Sequence, residues 1–242
     1  MASFTLFDIP SVVPNQAWSM NTLKARYTLN YKGLHFKTEW IEYPDIEDFY
    51  KTNGIVHTET RGDGSPNYTL PVLFDSAHNT YISGSTNIAS HLDKAYPDTP
   101  KVFPNGSEGL ARGFEDAMEN AIEPIWALLL PKVPVYLNTA SKAYFLRTKP
   151  RSRVELDQET KREEWARLRA GFSKIASWSA PEGGLFVMGD APTFVDLFMG
   201  GLVYWVKLTC GENSAEWKDM STWDEGRWDK LLKAVEVYGT VV

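Results

Sequence analysis

Three short stretches of this chain put chemistry-bearing residues where backbone geometry makes them useful. Ser19 precedes Met20, Leu23 and Tyr27, whose spacing predicts a helix beginning at that serine. Leu70-Pro71 opens a strand-prone run through Val72, Leu73 and Phe74, at a position where a missing amide donor is tolerated. Ser85 opens a further helix, read from Ile88, Leu92 and Ala95. A cis bond at Leu70-Pro71 would turn the Leu70 backbone outward to pair with an extended peptide. Ser85 and the first amides of its helix would then face a carboxylate, the guest that a helix N-terminus prefers.

The remaining reactive residue types say less. Histidines 35, 57, 78 and 91 show no metal-ligand spacing, so no metal is expected. Cys210 is the only cysteine, which excludes an internal disulfide and reads as a small packed hydrophobe. Gly62-Asp63-Gly64 is too short a signal for a phosphate loop.

The elements that must position these residues follow from periodicity and breakers. Phe4 to Ile9 reads as a strand, Ser19 to Lys32 as a helix, and His35 to Ile41 as a second strand. Pro44 to Lys51 is a short acidic helix, and 54–67, with three Gly and Pro breakers after Gly54, is a long loop. Two strands joined by the turn 75–79 and the Ser85 helix complete the order β-α-β-α-β-β-α. That is the order of a thioredoxin-like domain, spanning 1–97. Residues 98–107 are a linker by composition, and 108–242 read as all-helical. One long helix is expected over Leu110–Leu130, kinked at Pro124, and others near Asn138 and over Val154–Ser179. In the last of these, Asp157/Lys161 and Glu163/Arg167 are spaced as surface ion pairs. Thr193 and Asp196 have capping-box spacing ahead of a helix through Leu197, Leu202 and Trp205 that is apolar nearly all round and must be buried.

The run Leu70-Pro71-Val72-Leu73-Phe74-Asp75, followed by Gly84-Ser85-Thr86-Asn87-Ile88, resembles the glutathione-binding half of cytosolic glutathione transferases. The segment Gly189-Asp190-Ala191-Pro192-Thr193 through Asp196 resembles the capped central helix of their C-terminal domain. The two motifs occur in the right order, and the likeness covers nearly the whole chain. The resemblance implies a cis bond before Pro71, Leu70 pairing with the cysteinyl backbone of glutathione, and Ser85 with Thr86 holding the γ-glutamyl carboxylate. It also implies a homodimer. The acidic residue that usually precedes the serine is missing, because position 84 is Gly.

The helix opened by Ser19 resembles that of serine-type members, similar to the fungal-specific class A transferases and the related bacterial lignin β-etherases. The resemblance assigns the thiolate of glutathione to Ser19, with Asn21 as a second donor in the same turn and Ser11 as a weaker candidate. A free thiol has a pKa of about 8.5, and one hydrogen bond to a charged acceptor, at roughly 1.5–3 kcal/mol, lowers it by about one to two units. One hydroxyl therefore suffices. With no cysteine in that helix, the thiol-exchange branch of the family is not expected. Lys51, His57 and Arg61 are candidates for the glycyl carboxylate. Trp18, Phe103, Trp126, Tyr204 and Trp205 are candidates to line an apolar cleft between the domains, which would suit flat aromatic electrophiles.

Composition bounds the alternatives. A net charge of −6 over 242 residues argues against nucleic acid or an anionic membrane as partner. No apolar run approaches the roughly 18 residues a bilayer span needs. Met1 to Pro10 lacks a basic start, so a cytosolic location is expected. The sequence thus points to a serine-type glutathione transferase, with a weakly catalytic carrier of aromatic compounds as the alternative.

Overall fold

The computed structural model describes residues 4–179 and 184–242, so expectations touching Met1 to Ser3 lie outside it. The N-terminal part is thioredoxin-like and the remainder helical, as the element order implies. Strands β1 (Phe4–Asp8) and β2 (Phe36–Trp40) run parallel, linked by helix α1 (Met20–Tyr31). Helix α2 (Ile46–Thr52) follows a single 3-10 turn over Tyr43–Asp45. The 54–67 segment is not wholly loop, because it holds a miniature hairpin, β3 (Glu59–Thr60) with β4 (Pro66–Asn67). Its turn is closed by Asp63, which accepts the Ser65 amide at 2.9 Å and the Ser65 hydroxyl at 2.7 Å. Strands β5 (Val72–Asp75) and β6 (Thr80–Ser83) form an antiparallel hairpin leading into α3 (Ser85–Ala95), and the Leu70-Pro71 bond is cis.

The sheet order is β2-β1-β5-β6, which puts β1 in the middle and buries all five of its residues. Side chains alternate across a strand. Phe4 and Leu6 therefore enter a small core with Leu29, Ile88 and Leu92, whereas Phe7 joins the large core continuous with the helical domain. On the edge strand β2, burial alternates along the strand.

The helical part comprises α4 (Glu108–Ala121), α5 (Pro124–Leu129), α6 (Thr139–Thr148), α7 (Gln158–Ala176), α8 (Phe194–Cys210), α9 (Ala215–Met220) and α10 (Trp223–Val235). The expected kinked helix is two helices. Pro124 occupies the first turn of α5, where its absent N–H costs nothing, and starts a new helix instead of bending an old one. The surface pairing of α7 also differs from expectation. Asp157 caps the helix by accepting the Glu159 and Thr160 amides, both at 2.9 Å, and Arg167 pairs with Glu164 at 2.7 Å instead of Glu163.

Helix α8 is buried along nearly its whole length. Asp196 fixes its start by accepting the Thr193 amide at 2.8 Å and the Val187 amide at 2.9 Å. Helix α1 packs against α8 on one side and against the sheet and α3 on the other, so its Lys24 and Arg26 are buried with its apolar residues. The linker is held down by Asp93, which takes the Phe103 amide at 2.8 Å and the Lys32 ammonium at 2.7 Å.

Helices α4 and α7 meet where a side chain has no room. A Cβ at Gly171 would lie 2.0 Å from the Ala121 carbonyl oxygen. Gly171→Ala is therefore expected to destabilise the protein by about 1–3 kcal/mol, read as a lower urea midpoint at unchanged slope.

Candidate glutathione site

A cleft of about 1010 Å³ lies between the thioredoxin-like and helical parts. Its N-terminal wall combines three segments that are distant in sequence: the start of α1, the Leu70-Pro71 corner and the start of α3. Ser19, Asn21, Leu70, Pro71, Ser85 and Thr86 all line it.

Ser19 has extended backbone angles, as a helix cap should, but its side chain makes no cap hydrogen bond. The Thr22 hydroxyl instead donates to the Ser19 carbonyl at 3.1 Å. The Ser19 hydroxyl is thus left to the cleft, next to the free amides of the first turn of α1. Ser11 is differently occupied. Its hydroxyl donates to the Gln16 carbonyl at 2.8 Å and accepts the Val13 amide at 3.3 Å, which binds it into the loop outside the cleft.

Position 84 has φ of +86°, a backbone conformation that glycine adopts freely and other residues resist. A carboxylate cannot be restored there without strain. The cleft has acidic groups elsewhere. Glu115, on α4, accepts from the Thr86 hydroxyl at 2.9 Å and lies 3.9 Å from the Lys24 ammonium. Burial raises the Glu115 carboxyl, opposed by Lys24, and lowers the Lys24 ammonium, whose nitrogen also stands 3.5 Å from the Phe198 ring centre. Sequence reading missed both residues. The one available signal was a lysine on the Met20/Leu23/Tyr27 face of a helix that turns out to be covered on both sides.

Of the three basic candidates, Arg61 lines the cleft. Lys51 pairs with Glu47 at 2.7 Å on the surface, and His57 stands edge-on to Tyr68. Lys149 and Arg112 also reach the cleft and were not anticipated.

The aromatic expectations need correction. Trp126 lines the cleft, but Trp18, Phe103, Tyr204 and Trp205 do not. Trp18 turns inward onto Tyr136, 5.2 Å between ring centres, and Phe103 packs on Phe194 at the same distance. Trp205 is buried behind Trp126 and donates to the Tyr136 hydroxyl at 3.0 Å. Tyr204 is half-buried on α8. In their place Tyr43 and Tyr144, stacked at 6.0 Å with ring planes 6° apart, face the cleft. Tyr43 lies in the 3-10 turn and Tyr144 on α6, so no local pattern links them. Cys210 lies at the far end of α8, where burial pushes its thiol up to about 11, out of the range of a reactive thiolate.

The sequence matches a glutathione S-transferase N-terminal domain over 18–95 and a glutathione S-transferase C-terminal domain over 109–238. The glutathione S-transferase-like protein ustS of Aspergillus flavus is 30% identical, covering 97% of this chain and 96% of that protein. The glutathione S-transferase CsGST63524 of Ceriporiopsis subvermispora, solved in complex with glutathione, superposes with a TM-score of 0.93 at 42% identity, covering 99% of this chain and 98% of that one. Glutathione transferase GSTFuA3 of Phanerochaete chrysosporium gives 0.91 at 35% identity, with the same coverage. With both of its parts accounted for, the chain belongs to the glutathione S-transferase family. No helix among the described residues is long and apolar enough to cross a membrane.

Proposed function

We propose that this protein is a serine-type glutathione transferase acting on hydrophobic aromatic electrophiles. The observation that carries the reading is the meeting of Ser19, Leu70 and Ser85 in one cleft, with the Ser19 hydroxyl uncommitted to its own helix. Glutathione would lie extended along that wall. Leu70 pairs with its backbone, Ser85 and the α3 amides hold the γ-glutamyl carboxylate, and Arg61 takes the glycyl carboxylate. Ser19 donates to the thiolate, which attacks an electrophilic aromatic or ether carbon held against Trp126, Tyr43 and Tyr144. Homodimer formation and a cytosolic location belong to the same reading. Its test is a glutathione titration of the purified protein followed by turnover of a generic aromatic electrophile. Absence of glutathione binding at millimolar concentration would leave the carrier of aromatic compounds as the better reading.

In this arrangement Glu115 does the work for which position 84 lacks a side chain, pairing with the γ-glutamyl ammonium beside Thr86. A charge-assisted hydrogen bond contributes roughly 1.5–3 kcal/mol, and partial solvent access reduces it, so Glu115→Gln should weaken glutathione binding about tenfold. A glutathione analogue lacking the α-amino group should bind both proteins alike. An equal loss for both ligands would mean that Glu115 acts only through Lys24.

A further inference from the structure

Away from the cleft, the β5–β6 turn and α3 bring three metal-ligating side chains together. Asp75 ends β5, His78 sits in the turn and His91 lies on α3. The Asp75 carboxylate is fully buried, and a single oxygen of it, Oδ2, meets His78 Nδ1, His91 Nε2 and the Tyr96 hydroxyl, each at 2.8 Å. The other oxygen accepts the Ala77 amide and the Tyr96 hydroxyl, both at 3.0 Å. One donor atom from each of Asp75, His78 and His91 lies within 4.8 Å of the others. The two imidazoles stand edge to face, 5.6 Å between centres, and the His78 side chain is 48% exposed, which opens the cluster to solvent.

We propose that Asp75, His78 and His91 form a zinc-type divalent metal site, with water as the fourth ligand. Two imidazole nitrogens and one carboxylate oxygen are a zinc donor set, and three protein ligands leave one position open. The Ala77 amide and the Tyr96 hydroxyl already satisfy the buried carboxylate, so two further imidazoles converging on one oxygen exceed what the turn needs. Ligand atoms around a tetrahedral zinc stand about 3.3 Å apart, so the two 2.8 Å contacts must open by about half an ångström, and the two imidazole nitrogens, now within 4.8 Å of each other, must settle at the same separation. Each ring would then bind through the nitrogen now facing Asp75, with its proton carried on the other nitrogen. Tyr96 and the Ala77 amide remain to orient the carboxylate, as outer-shell groups do around metals. The histidine spacing in the sequence did not point to this cluster, because it is α3 folding back over the turn that brings His91 to Asp75 and His78.

Titration of the purified protein with zinc chloride against a chromophoric chelator tests this. One equivalent should bind saturably, magnesium chloride should not compete, and zinc should raise the melting temperature. His78→Ala and His91→Ala should each weaken binding at least tenfold, Tyr96→Phe about tenfold, and His35→Ala and His57→Ala not at all. Neither His78, His91 nor Tyr96 lines the cleft, so glutathione turnover should be unaffected by their replacement. Cobalt(II) bound to the unaltered protein should give the intense visible bands of a tetrahedral site, a readout that needs no variant to fold. No saturable equivalent, a weak octahedral cobalt spectrum, or a folded histidine variant with unchanged affinity would overturn the proposal.

Discussion

Replacing Ser19 with alanine should lower turnover of glutathione about ten- to a hundredfold while leaving the melting temperature nearly unchanged. The first half follows from the proposed chemistry. The hydroxyl contributes one hydrogen bond to a charged sulfur, roughly 1.5–3 kcal/mol, and each 1.36 kcal/mol of barrier is tenfold in rate. The second half follows from the geometry. An N-cap serine ordinarily contributes about 1 kcal/mol to its helix, but here the side chain makes no cap bond, so its loss removes little. A purely structural serine would give the opposite result, a lower melting temperature with turnover per folded molecule preserved. The variant's pH–rate profile should move up by about one to two units, because the bound thiol would ionise later. Asn21→Ala is the necessary companion. Full activity in Ser19→Ala together with loss in Asn21→Ala would move the role to another residue of the same turn. Binding of an aromatic ligand should change in neither.

A comparably large effect is expected at Asp8, which never touches the cleft. Its carboxylate and the Arg26 guanidinium meet at 2.9 Å with both side chains fully buried. Asp8 also accepts the Ile9 amide at 2.7 Å, and Arg26 donates to the Thr38 hydroxyl at 3.1 Å. Removing one partner of such a pair strands the other charge, at about 3–5 kcal/mol, whereas replacing both with apolar groups of similar volume is often near neutral. Asp8→Ala should therefore shift the urea midpoint strongly downward, and Asp8→Leu combined with Arg26→Met should recover most of the loss. Against a usual total of about 5–15 kcal/mol, the single change takes a large share. The pair ties the end of β1 to the middle of α1, and α1 carries Ser19 at its head. A loss below about 1 kcal/mol in the single variant would mean that water reaches Arg26 and the pair is not isolated.

Much of the fold was legible from local signals. The Ser85 helix start, the β5–β6 turn and the Thr193/Asp196 cap each depend on residues within a few positions of one another, and that is the range over which capping and turn chemistry act. The parallel β1-α1-β2 unit followed from strand and helix periodicity together with the handedness of such connections. The resemblance carried by the Leu70-Pro71 and Gly189–Asp196 segments supplied the rest of the architecture. Residues that lie between two packed surfaces were not legible. Met20, Leu23 and Tyr27 mark one apolar face of α1, but only packing of α8 on that side and α3 on the other buries Lys24 and Arg26 as well. Nothing in the one-dimensional pattern separates Trp126, which faces the cleft, from Trp18 and Phe103, which face the core. All three are large and apolar, and the sign of their exposure is set by helices far away in sequence. The same holds for Tyr43 with Tyr144, and for Asp75 with His78 and His91. The sequence by itself determined the elements and their caps, because those energies are local. Only the tertiary structure decided which side chains share a cavity, because that depends on how helices and strands distant in sequence come to rest on one another.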